Sequence, residues 1–235
     1  MKIKPPVFIL SMGRSGSMFM ANLLAGCNGV NVQHEPEELN KIDIAAYKKG
    51  IISSQWLLDP FRVGHVNEQI NKGPLYIEVN GYLRNHVKAL KAEWPDCKII
   101  QLVRNPKDVI RSMASRNPSS MIRFLADHHR VSIFYASCFF WQLENRKLRR
   151  NADFIIRLED ILEDYSHYHE LLEFLGLEKR KTLYKDVWEK LRKKPVNKTI
   201  KYRMPAFNEW SKIEKEIFLK NCEKEGKAYG YRMAD

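Results

Sequence analysis

Two short stretches of the chain hold residue types able to grip an anion. The first is Ser11-Met12-Gly13-Arg14-Ser15-Gly16-Ser17. Gly13 and Gly16 let the backbone turn tightly and point several N–H groups inward, and the helix that follows adds the partial positive charge of its N-terminus. Arg14 adds a permanent charge with a bidentate fork, and Ser15 and Ser17 add hydroxyls. The plainer alternative is a serine- and glycine-rich turn that merely starts a helix. The stretch is not a Walker A loop of the form GxxxxGKS or GxxxxGKT, because Gly13 and Gly16 stand too close and no lysine precedes Ser17. The pair that holds magnesium in such loops is missing, which weighs against NTP hydrolysis.

The second stretch runs from Ile99 to Ser112 and reads IIQLVRNPKDVIRS. Arg104 stands at the carboxyl end of a buried strand, the edge where ligands bind in open parallel sheets. Ser112 lies on the following helix, about two turns in. An arginine and a serine so placed can hold one terminal phosphate from two sides, each charge-assisted bond contributing about 1.5–3 kcal/mol. The competing reading pairs Arg104 with Asp108 as a helix-start ion pair and leaves Ser112 on the surface. Two such grips at the ends of two strands suggest a ligand with two separated phosphate-like groups.

The elements that must carry these grips follow from the apolar pattern. Val7 to Leu10, Leu75 to Val79, Lys98 to Val103 and Phe154 to Ile156 are short apolar runs that read as strands. Between them, helical spacing appears at Phe19, Leu23 and Leu24, with Gly26 as the stop. It recurs at Leu83, Val87, Leu90 and Trp94, ending at Pro95, and at Val109, Ile110 and Met113 behind Pro106 as first helical residue. A long helix is expected from Ser119 or Ser120 to about Arg149, and another through Leu171, Leu172 and Leu175 ends at Gly176. Ser211 with Glu214 forms a capping box that opens a helix carrying Ile213, Ile217 and Cys222. Strand–helix alternation with continuous apolar strands predicts a parallel sheet covered on both faces, in one domain spanning 1–235. Residues 40–73 are the least patterned.

Composition narrows the class. With 235 residues, 44% of them apolar and 11% aromatic, the chain has ample material for a core and little reason for disorder. A net charge of +12 predicts an anionic partner. Four cysteines, Cys27, Cys97, Cys138 and Cys222, have no CxxC spacing, so a zinc ribbon is excluded and reduced buried thiols of a cytoplasmic protein are expected. No stretch approaches the length of a membrane span, and Val7 to Leu10 is too short for a signal peptide's apolar region.

Together these motifs make the chain resemble sulfotransferases that use 3′-phosphoadenosine 5′-phosphosulfate (PAPS). Gly13-Arg14-Ser15-Gly16-Ser17 is similar to the family's 5′-phosphosulfate loop, in the arginine form of carbohydrate sulfotransferases, and Leu102 to Ser112 is similar to its 3′-phosphate motif. Arg157-Leu158-Glu159-Asp160-Ile161 with Glu173 to Leu177 resembles the family's YEDL … FLGL segment. Trp210, Ile217, Cys222 and Gly230-Tyr231 resemble the carbohydrate-type C-terminal pattern. The resemblance implies a P-loop-like three-layer α/β fold, a central parallel sheet flanked by helices, binding PAPS without metal and releasing 3′-phosphoadenosine 5′-phosphate (PAP). Gly13, Arg14, Ser15, Gly16 and Ser17 would hold the 5′-phosphosulfate, and Arg104 and Ser112 the 3′-phosphate. The RKGxxGDWK segment of cytosolic small-molecule enzymes is absent, which weighs against steroid or phenol acceptors. Its nearest counterpart, Asn197 to Arg203, would bring Lys198 over the nucleotide as a basic flap.

Sulfuryl transfer to a hydroxyl needs a base for the acceptor proton, in-line geometry, and stabilisation of charge on the bridging oxygen, the last a task for Arg14. The base is sought in Gln33 to Leu39, with Glu35 first, Glu38 second and His34 third; the alternative is an acidic, solvated loop. The leading expectation is transfer to a carbohydrate or other polar acceptor. Two alternatives are a P-loop-type kinase and a non-catalytic basic module for nucleic acid or an acidic polymer, nucleic acid being the less expected partner. Lys179 to Arg203 holds eleven lysines and arginines against Asp186 and Glu189, a basic segment beside the two arginine motifs or else a solvated helix face.

Overall fold

The computed structural model describes residues 4–37, 39, 41, 60–114, 120–177, 181–193 and 205–234. Its centre is a five-stranded sheet of order β2-β3-β1-β4-β5, every pairing parallel. The strands are β1 (Val7–Ser11), β2 (Val30–His34), β3 (Leu75–Val79), β4 (Lys98–Val103) and β5 (Phe154–Arg157). β1 and β3 are buried along their whole length, which is why they read as unbroken apolar runs. On β1, Val7 and Ile9 face one helical layer while Phe8 and Leu10 face the other.

The first layer holds α1 (Ser17–Ala25), followed later in the chain by the helices that cover β5. Its core joins Met20, Leu23 and Leu24 to Leu171, Leu172 and Trp188. The second layer holds α2 (Pro60–Asn71), a 3₁₀ turn (Tyr82–Asn85) and α3 (Val87–Glu93), packed through Val66, Leu83 and Leu90 on Phe8 and Tyr76. A third cluster lies beyond the carboxyl end of β4. It gathers α4 (Pro106–Ala114), α5 (Ser120–His129), α6 (Ile133–Arg149) and, after α7 (Leu158–Glu163), α8 (Tyr165–Leu175) and α9 (Lys181–Arg192), the last helix α10 (Lys212–Ala228).

One expectation needs correction, and two elements went unread in the sequence. The single helix to Arg149 is two: Arg130 turns at φ 51 and Ser132 caps α6, its hydroxyl accepting the N–H of Tyr135 at 3.1 Å. Val30–His34 is a strand, so Glu35 directly follows an element of the sheet. Pro60–Asn71 is a helix although it lacks an apolar stripe, because Arg62 and Gln69 are on its buried side; Arg62 there pairs with the fully buried Glu78 at 3.0 Å. The predicted capping box at Ser211 and the left-handed stop at Gly176 are both present. The four cysteines are buried and free.

Strand order fixes where a ligand can sit. From β1 the chain passes to β2 and β3 on one side, then crosses to β4 and β5 on the other. The loops that leave β1 and β4 diverge at this switch point. The register pairs Ser11 with Leu102, His34 with Val79 and Val103 with Arg157, so the carboxyl ends form one continuous edge.

Candidate active site

The glycine loop leaves β1 in a conformation most residues avoid. Arg14 has φ 72 and Gly16 has φ 91. A side chain at Gly16 would also meet Leu158 Cδ2 at 2.7 Å, so glycine is required there twice over, for dihedral angle and for space. The Ser15 N–H donates to the Met12 carbonyl at 3.3 Å and closes the turn. Ser15 itself is fully buried, and its Oγ has no hydrogen-bond partner among the described residues. A buried hydroxyl left unpaired costs about 1–3 kcal/mol, a cost removed when a ligand oxygen engages it.

Arg14 and Arg104 lock the two motifs together. Arg14 Nε donates to Ser112 Oγ at 3.1 Å, linking residues 98 positions apart. Arg104 Nη1 donates to the Arg14 carbonyl at 3.2 Å and so braces the left-handed turn. Its Nη2 lies 3.4 Å from Asp108, whose other oxygen pairs with Arg111 at 2.9 Å. The ion pair that competed with the phosphate reading is thus present, but it is long and partly exposed, and it leaves the guanidinium at the sheet edge. Ser112 is buried, on α4, facing the loop and not the surface. The two anion grips that the sequence suggested lie side by side, joined through Arg14 and Ser112.

The acidic segment approaches from the other flank. Glu35 follows β2 directly, at φ 43, and its N–H donates to the Val79 carbonyl at 3.1 Å. Its Oε1 lies 3.6 Å from where a side chain on Gly81 would begin, and that same point is 3.1 Å from the carbonyl of Ser11, the last residue of β1. The carboxylate therefore sits beside the root of the glycine loop. His34 Nε2 and Ser17 Oγ are 3.0 Å apart, a direct bond between the acidic segment and the first residue of α1. Glu38 and Lys198, also expected here, lie outside the described residues, as does the rest of the proposed flap.

Sequence reasoning gave no role to the residues around β5. Glu159 accepts the N–H of Asn105 at 2.9 Å and the hydroxyl of Tyr231 at 2.8 Å, and the Arg157 guanidinium lies 4.5 Å from the Tyr231 ring centre. The available signal was an arginine at a strand end followed by an acid, the same grammar as Arg104 and Asp108. Burial, foremost, and the neighbouring Glu159 carboxylate push the Tyr231 phenol well above its ordinary range, so it remains a donor. The donor set fits a phosphorylated, sulfated nucleotide: two arginines, a buried unsatisfied hydroxyl and a helix N-terminus at one edge.

A parallel sheet with a glycine loop after its central strand and an arginine after the next defines a P-loop-like α/β protein built to hold a phosphorylated ligand. Residues 4–229 match the sulfotransferase domain family, and the chain belongs to it. It is a PAPS-dependent sulfotransferase by that membership, as the motifs implied. Solved structures share the fold at low identity. The sulfotransferase domain from the curacin biosynthetic pathway is 16% identical with a TM-score of 0.59, over 99% of this chain and 100% of that one. The sulfotransferase domain of the Synechococcus PCC 7002 olefin synthase is 16% identical with a TM-score of 0.54, over 97% and 96%. Mouse sulfotransferase SULT7A1, crystallised with PAP, is 15% identical with a TM-score of 0.54, over 99% and 90%. No curated protein sequence matches.

Proposed function

We propose that this chain, acting as one domain, transfers a sulfuryl group from PAPS to a hydroxyl of a carbohydrate or other polar acceptor, with Glu35 as base. The observation that carries the reading is the bond between Arg14 and Ser112, which joins the two anion motifs at the sheet edge beside the unsatisfied Ser15 hydroxyl. When bound, PAPS supplies the sulfuryl group and a phosphate leaving group. The loop N–H groups, Ser15 and Ser17 bind the 5′ end, and Arg104 with Ser112 binds the 3′-phosphate. Arg14 lies between the two and offsets charge growing on the bridging oxygen. Glu35, at the root of the loop, takes the acceptor proton, and His34 holds Ser17 in place. Glu38 is the second candidate for the base, and Lys198 for the cover over the nucleotide. Arg14 at the loop's cationic position and the missing RKGxxGDWK segment support a polar acceptor. Four free buried thiols support a reducing, cytoplasmic setting. Among the described residues no helix is long and apolar enough to cross a membrane.

Thermal shift with PAP, AMP and ATP tests the donor reading. At about 100 times its dissociation constant, PAP should stabilise the fold by roughly 2.7 kcal/mol. AMP, lacking the 3′-phosphate, should do far less at the same concentration. Equal shifts for PAP and AMP would remove the roles given to Arg104 and Ser112. A larger shift with ATP and magnesium would favour a kinase.

A further inference from the structure

The C-terminal turn lies against the loop that carries Arg104, and its contacts are specific. Glu159 lies in the first turn of α7 and uses both carboxylate oxygens: Oε1 accepts the Asn105 N–H at 2.9 Å, and Oε2 accepts the Tyr231 hydroxyl at 2.8 Å. Asn105 directly follows Arg104 and caps α4. Its side chain accepts the Lys107 N–H at 3.0 Å, and its carbonyl accepts the N–H groups of Asp108 and Val109, each at 3.1 Å. The residue is thus held from both ends, by α4 through its acceptors and by Glu159 through its donor. The backbone of Arg104, one bond away, has little freedom left.

Tyr231 reaches Glu159 because the chain doubles back after α10. The N–H groups of Tyr229 and Tyr231 both donate to the Gly226 carbonyl, at 3.1 and 3.0 Å, and Gly230 turns the chain at φ 79. The space a side chain at Gly226 would fill is taken by Met233, which is buried. Arg157 lies over the Tyr231 ring at 4.5 Å from its centre and is itself held by Asp160 at 3.4 Å. Tyr231 is 5% exposed and Glu159 is half-buried, so the bond between them is partly shielded from water.

We propose that Glu159 and Tyr231 form a clasp in which the C-terminal turn fixes Asn105 and thereby aims Arg104 at the 3′-phosphate of the donor. Both are positioning residues; neither touches the reacting atoms. The inference rests on the donor-site reading, because only a ligand with a 3′-phosphate reports how Arg104 is aimed.

The test measures PAP and AMP affinity by titration calorimetry, with initial rates against PAPS, in wild type and three variants. In Tyr231→Phe the ring and its arginine contact remain and only the hydroxyl is lost. Its PAP dissociation constant should rise about fivefold while that for AMP stays within about twofold. Glu159→Ala loses both bonds and should weaken PAP about tenfold or more. Glu159→Gln, whose amide oxygen still accepts the Asn105 N–H, should recover most of that loss. The KM for PAPS should rise with the PAP dissociation constant while kcat holds. If Glu159→Ala does not fold, Tyr231→Phe decides. Equal weakening of PAP and AMP, or no change in PAP affinity in Tyr231→Phe, overturns the clasp. A wild type that does not prefer PAP over AMP overturns the donor reading itself, and the clasp with it, before any variant is compared.

Discussion

Arg104 does two jobs with one guanidinium. It braces the left-handed turn through the Arg14 carbonyl and remains available at the sheet edge for a phosphate. Arg104→Ala should therefore remove the preference for PAP over AMP, weakening PAP about tenfold to a hundredfold, as expected for loss of charge-assisted bonds. Its stability without ligand should fall only slightly, by about 0.5–1.5 kcal/mol for the part-buried bond to the Arg14 carbonyl, since the lost ion pair is half-exposed and weak. Retained PAP preference in this variant would assign the 3′-phosphate elsewhere. Glu35→Gln separates binding from chemistry. It keeps the shape of the side chain and removes the basic oxygen, so PAP affinity should hold while kcat falls about a hundredfold or more. Unchanged turnover would move the base to Glu38 or His34.

At the scale of elements, the glycine loop and α1 depend on the fit between Gly16 and Leu158 of α7. Gly16→Ala meets a positive φ, costing about 1–2 kcal/mol, and a leucine methyl that must move, costing about 1–3 kcal/mol. Urea unfolding should show a loss of about 3 kcal/mol, and a loss below about 1 kcal/mol would mean that the loop relaxes freely. These elements differ in how plainly the sequence announced them. β1, β3 and β4 were legible because burial on both faces demands unbroken apolar runs. β2 was not, because it is an edge strand whose Asn31 and Gln33 bond to Gln69, His65 and Tyr76 instead of forming an apolar run. α2 was hidden for a related reason: its buried side carries Arg62 and Gln69, and their partners come from other elements. The break after α5 turns on Arg130 in the left-handed region, which no local pattern marks. Within the site, the glycine loop and the arginine motif were legible as local spacing. Their union through Arg14 and Ser112, and the tie from Glu159 to Asn105, join residues 98 and 54 positions apart and exist only once the sheet has aligned its carboxyl ends.

Over the whole molecule, two arginine–carboxylate pairs are buried in the second layer and at its contact with α6. Arg62 pairs with Glu78 and Arg84 with Glu144 at 3.0 and 2.7 Å, each partner nearly inaccessible. His86, between the 3₁₀ turn and α3, is enclosed by these groups. Burial foremost, then Arg84 and Arg62, depress its pKa below the ordinary value of 6.5, with Glu144 opposing. The sign of the linkage follows. Below about pH 6.5 the unfolded chain binds a proton at this histidine that the folded chain refuses, so stability is complete above that pH and is lost as pH falls toward the depressed value. Asp164, held low by the Ser166 N–H, and Glu68, held low by Lys72, add losses of the same sign at more acidic pH. The thermal midpoint of the wild type should therefore hold from pH 8 to about 6.5 and then decline. In His86→Gln, whatever its absolute midpoint, the decline just below pH 6.5 should be shallower, because this titrating group is gone. Parallel midpoint profiles for the two proteins would show that His86 is not the group that makes this fold sensitive to mild acid, and that its enclosure by Arg84 and Arg62 is looser in solution than the packing of the 3₁₀ turn implies.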